Sequence, residues 1–103
     1  MDIEVLHIDE CPSWVEAGSR VREALRVAGI TDSTVRYRLL RTAEDAAGVP
    51  FAGSPTILLD GRDLFPSDGR TSDLACRVYA TPTGLAGLPT TEQLVQAIAS
   101  HGR

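Results

Sequence analysis

Lysine is missing from this chain. All ten basic side chains are arginine, they face fourteen carboxylates, and the formal net charge is −4. That balance argues against a nucleic-acid partner, because phosphate contacts need a basic patch. The densest basic stretch, Arg36, Arg38 and Arg41, reads as the solvated face of a strand. No apolar run reaches the ~18 residues that a membrane-spanning helix needs, so no membrane partner is expected. The N-terminus lacks the basic-then-apolar pattern of a secretion signal, and the expected location is cytoplasmic. Cysteine is scarce as well: Cys11 and Cys76 are the two in the chain, too few for a disulfide scaffold. The two cysteines and two histidines do not fall at zinc-ligand spacing, so no metal site is expected. Asp60, Asp63, Asp68 and Asp73 are spread over turns and read as turn residues rather than a calcium loop. No Gly-rich phosphate loop follows a strand, and no Ser-His-Asp order stands out.

What is present suits one globular domain over residues 1–103, with 43% apolar and 23% charged residues. Residues 3–8 are apolar on both faces and predict a central strand, with His7 as a core or edge side chain inside it. Pro12 to Ala28 predicts a helix. Trp14, Gly18, Val21, Leu25 and Ala28 line one stripe, Cys11 stands at the N-cap, Pro12 at the first helical position, and Gly29 at the stop. Thr34 to Leu40 alternates as a second strand, parallel to the first because a helix joins them. A short helix follows from Thr42, with Thr42 and Asp45 as a capping box. Thr56 to Leu59 and Arg62 to Phe65 flank Asp60-Gly61, a strong hairpin signal. Residues 66–88 form a long connection containing one apolar patch, Leu74 to Tyr79, which reads as a helical turn. Thr90 and Gln93 cap a last helix. The order β-α-β-α-β-β-α predicts an α/β fold with a mixed four-stranded sheet and helices on both faces.

Chemistry concentrates at Cys11-Pro12-Ser13-Trp14. A helix N-terminus presents unpaired N–H groups and the positive end of the backbone dipole, and both favour thiolate over thiol. Asp9 and Glu10 oppose that effect by like-charge repulsion, but exposed carboxylates are screened. The net expectation is a lowered pKa at Cys11, which is the candidate nucleophile.

Three features resemble the thioredoxin-like superfamily: the strand–Cys-Pro-x-x–helix start, Gly53-Ser54-Pro55-Thr56 opening the third strand, and the Ile57 to Gly61 hairpin before a final helix. The chain is most similar to short bacterial members with Cys-Pro-x-Trp, some labelled alkylmercury-lyase-like. The resemblance implies that Cys11 is the nucleophilic thiol and that the bond before Pro55 is cis. It also implies that the Ser54 backbone pairs with an extended substrate. Trp14 stands where a dithiol enzyme has its resolving cysteine, so no local disulfide forms. Trp14 is then core packing, a lid over the thiol, or a substrate contact.

In such a fold the chain after Phe65 emerges on the Cys11 side. Cys76 is either a remote resolving thiol or a small hydrophobe under the loop. Arg77 is either a cation for a thiolate or bound anion, or an exposed loop charge. The leading expectation is a thiol–disulfide redox protein acting on a protein or small-molecule thiol or disulfide. Its candidate site is Cys11 and Cys76 for the chemistry, with Pro12, Trp14, Ser54, Pro55 and Arg77 shaping the substrate groove. It needs no cofactor, although glutathione or a protein thiol serves as co-substrate. The alternatives are a thiol module that captures a soft metal or an organomercurial, and a non-catalytic interaction domain.

Overall fold

The computed structural model describes residues 2–66 and 74–101. Nine elements follow in order: β1 (Asp2–His7), α1 (Trp14–Val27), β2 (Thr34–Leu39), α2 (Ala43–Ala47), β3 (Thr56–Leu59), β4 (Arg62–Asp63), β5 (Tyr79–Thr81), β6 (Gly84–Ala86) and α3 (Thr91–His101). The first four strands form one mixed sheet in the order β2-β1-β3-β4. β1 runs parallel to β2, with Ile3 opposite Val35, and antiparallel to β3, with Val5 opposite Ile57. β3 and β4 are antiparallel. The parallel pair follows from the α1 crossover, and the hairpin from Asp60 and Gly61, whose φ angles of 50° and 85° are those of a tight two-residue turn.

Side chains alternate across a strand, so β1 divides the core in two. Ile3 faces Val21, Ala24 and Leu25 of α1 and Leu94 and Ile98 of α3. Leu6 and Ile8 face the other way, onto Ala46 of α2, Phe51, Leu40 and Leu58. Helices therefore cover both faces, as the sequence predicts. β2 is an edge strand and carries its arginines outward. Arg36 pairs with Asp2 at 2.7 Å and Arg38 with Glu4 at 3.2 Å. Charge of this kind blunts edge-to-edge pairing.

The local stop and start signals hold. Gly29 adopts φ 75° just after α1. The Asp45 N–H donates to Thr42 Oγ1 at 3.1 Å. At α3 both halves of the capping box form, with the Thr90 N–H donating to Gln93 Oε1 at 2.9 Å and the Gln93 N–H to Thr90 Oγ1 at 3.1 Å.

Two expectations are corrected. Helix α1 begins at Trp14 with Ser13 as N-cap, so Cys11 is two residues too early to cap it. The reason is the sheet: Cys11 packs with the α2-side cluster, whereas Trp14 packs with Val5 and Ala17 on the α1 side. Residues 12 and 13 are used to cross between the faces. The patch Leu74 to Tyr79 is not a helical turn. Cys76 forms an isolated parallel bridge with Ser54, and Tyr79 begins the β5–β6 hairpin, which the Gly/Pro/Thr-rich sequence does not announce. Asp68 and Asp73, read as turn residues, lie outside the described residues. Among the described residues no helix is long and apolar enough to cross a membrane.

Candidate functional site

Cys11 and Cys76, 65 residues apart in sequence, are joined by a disulfide with their Cα atoms 6.0 Å apart. That separation is ordinary for a disulfide. Two main-chain hydrogen bonds deliver Cys76 to this place. The Ser54 N–H donates to the Ala75 carbonyl, and the Arg77 N–H donates to the Ser54 carbonyl, each at 2.8 Å. Ser54 is itself fixed, because its hydroxyl accepts the Ile8 N–H at 3.1 Å. The Ser54–Pro55 peptide bond is cis. One short stretch, 75–77, thus lies against Ser54 and carries Cys76 to Cys11.

The two sulfur-bearing residues differ in access. Cys11 is 3% exposed and sits among Leu6, Ile8, Leu40, Phe51 and Leu58, with Leu74 packed against the same cluster. Cys76 is exposed. The sequence expects an ionisable sulfur at helix α1. The surroundings of Cys11 add apolar burial, which opposes ionisation of a free thiol. A groove of about 330 Å³ runs beside this cluster, lined by Ile8, Asp9, Glu10, Leu40, Arg41 and Leu74.

Arg77 is not a surface charge. It is 8% exposed, and its Nη1 meets Asp63 Oδ2 at 2.8 Å. Its Nη2 donates to the Phe65 carbonyl, and the guanidinium lies 4.5 Å from the centre of the Tyr79 ring. The Tyr79 hydroxyl donates to the Pro55 carbonyl. Burial pushes the Tyr79 phenol well above its ordinary value, so it stays a donor. Asp63, read in sequence as a turn residue, is the partner that sequence reasoning missed; its Oδ1 also accepts the Phe65 N–H at 2.9 Å.

No protein-family model, curated protein or solved structure matches the chain.

Pro12 is exposed at the start of the crossing, and Trp14 packs with a different cluster from Cys11. Trp14 stacks on His7, ring centres 4.1 Å apart, and meets Tyr37 edge-on at 5.3 Å. It belongs to the α1 face, with Val5 and Ala17, while Cys11 belongs to the other. Of the residues singled out in sequence, the structure brings Cys11, Ser54, Pro55, Cys76 and Arg77 together and leaves Trp14 apart.

His7 adds a pH dependence. It is 6% exposed, and its Nδ1 has no hydrogen-bond partner among the described residues. Burial holds the imidazole below its ordinary value, against the opposing pull of the Asp9 carboxylate. The unfolded chain then binds a proton that the folded chain refuses, so stability falls as pH drops through about 6.5 and levels off below the folded value. We expect urea midpoints to fall between pH 7.5 and 5.5, and the fall to shrink in His7→Phe. Equal slopes in the two proteins remove His7 as the cause.

Proposed function

We propose that the protein is a thiol–disulfide redox protein of thioredoxin-like architecture, with Cys11 and Cys76 as its working pair. The observation that carries this reading is the meeting of those two cysteines beside Ser54. The wider frame is compatible with it: β1 and β2 parallel, β3 and β4 antiparallel, in the order β2-β1-β3-β4. So is the division of helices, α1 and α3 on one face and α2 on the other.

The difference in access supports an order of steps. In the oxidised protein an incoming thiolate, from glutathione or a protein thiol, attacks the sulfur of Cys76, the exposed residue of the pair. The Cys11–Cys76 bond breaks, Cys76 is left as a mixed disulfide with the incoming thiol, and the departing Cys11 sulfur takes up a proton in its apolar surroundings. In the oxidising direction Cys11 is the nucleophile that attacks the Cys76 mixed disulfide and expels the small thiol. Pro12 and Pro55 act through the backbone they hold rather than through functional groups of their own, and Trp14 takes no part.

A second reading has one observation in its favour: reduction leaves two thiols with Cα atoms 6.0 Å apart, a pair suited to a two-coordinate soft ion or an organomercurial. One experiment separates the two. Reduced protein is mixed with a fluorescent glutathione mixed disulfide under continuous supply of reduced glutathione. The redox reading expects many turnovers, and a loss of at least ~100-fold in both Cys11→Ser and Cys76→Ser, because a single thiol has no intramolecular step to complete the exchange. Full turnover in Cys11→Ser overturns it. Stoichiometric loss of both thiols to Hg²⁺ without any turnover selects the binding reading.

A further inference from the structure

Among the described residues, five contacts hold the 75–77 stretch in place, and none of them uses sulfur. Two are the main-chain bonds to Ser54. Two more are the Arg77 bonds to Asp63 and to the Phe65 carbonyl, made where water is largely excluded. The fifth is the face of the Tyr79 ring under the guanidinium. Gly53 lets this stretch press close: its φ is +107°, and a Cβ there would fall 2.7 Å from Arg77 Cβ. An Arg fork in a buried pair fixes direction as well as distance, which a single hydrogen bond does not.

We propose that Arg77 is a positioning residue for disulfide closure. Its side chain locks residues 75–77 onto Ser54, so that Cys76 stays within bonding reach of Cys11 when the bond is open. The proposal rests on the redox reading only in taking Cys11 and Cys76 as the working pair.

The reaction it serves is oxidation of the protein dithiol by oxidised glutathione. The Cys76 thiolate attacks one sulfur of oxidised glutathione, that S–S bond breaks, and one glutathione leaves as thiolate. The Cys11 thiolate then attacks the Cys76 sulfur, and the second glutathione leaves. Two electrons pass from the protein dithiol to oxidised glutathione, and the two protein protons end on the two glutathione thiols. The second step is unimolecular, so its advantage over an external thiol is set by how often Cys76 is already in place.

The test is the equilibrium constant of the Cys11–Cys76 bond in glutathione buffers, for the wild type, Arg77→Ala, Arg77→Lys and Asp63→Asn. Arg77→Ala should lower the constant tenfold or more, which raises the potential by about 30 mV per tenfold. Closure from the glutathione mixed disulfide should slow in parallel. Arg77→Lys should recover part of the loss, because it keeps the charge without the fork. A contribution to stability that is equal in both redox states would move the unfolding midpoint and leave this constant alone. In the reduced wild type, the Arg77 amide should still exchange slowly with solvent. If Arg77→Ala does not fold, Arg77→Lys and the Arg77 amide decide. A constant within twofold of wild type in the folded Arg77 variants, or free exchange of that amide after reduction, overturns the positioning role. A wild-type protein that forms no Cys11–Cys76 bond at any glutathione ratio overturns the redox reading instead.

Discussion

Reduction of the Cys11–Cys76 bond is expected to lower the free energy of unfolding by about 4 kcal/mol. The bond closes a loop across a sequence separation of 65 residues, and the chain-entropy treatment of a loop that long gives about 4 kcal/mol at 25 °C. For a domain of this size, each kcal/mol is worth roughly 4–8 °C in Tm, so the reduced protein should melt roughly 15–30 °C lower. The reduced chain should still fold. Its two main hydrophobic clusters, around Ile3 with Leu94 and around Leu6 with Phe51, are assembled from strands and helices that the bond does not tie together. Urea unfolding with and without excess reductant measures the difference, and Cys76→Ser should match the reduced wild type. Coincident curves would mean that the bond does not form in solution or constrains nothing.

Asp63→Ala should cost about 3–5 kcal/mol, a large effect for a residue on a two-residue strand. The magnitude comes from what is left behind. The Arg77 side chain is 7% exposed and that of Asp63 14%, so removing the carboxylate strands a guanidinium away from water. Replacing both members by apolar residues of similar size, as in Asp63→Leu with Arg77→Met, should return most of that loss, because a buried pair roughly balances its own desolvation. The cycle has a built-in control. The double variant should regain stability without regaining the wild-type disulfide equilibrium. A single Asp63→Ala variant within ~1 kcal/mol of wild type would mean that the pair is hydrated in solution.

The contrast between these two residues and the rest of the chain shows what a sequence can carry. The N-cap at Thr42, the capping box at Thr90, the stop at Gly29 and the turn at Asp60-Gly61 are decided within four residues, and local chemistry suffices to read them. The β1–α1–β2 unit is legible for a similar reason, since its periodicities are long and clean. Arg77 and Asp63 are fourteen positions apart in stretches of no fixed period, and each alone looks like a solvated charge. The extended course of 74–78 depends on main-chain groups of Ser54, which no side-chain pattern reports. Cys11 was legible as the centre of interest but not as a buried residue. Its burial comes from side chains elsewhere in the chain, Leu40 and Phe51 among them, with Leu74 packed over the same cluster.

The Ser54 main chain has a last consequence for what can visit this molecule. Both of its polar groups are already engaged by Ala75 and Arg77. A guest polypeptide that tried to zip itself onto that rim as an added strand would find every rung taken by the host. To pair there it must first evict a resident secured by a buried guanidinium. The pairing capacity of that rim is thus consumed by the host's own backbone.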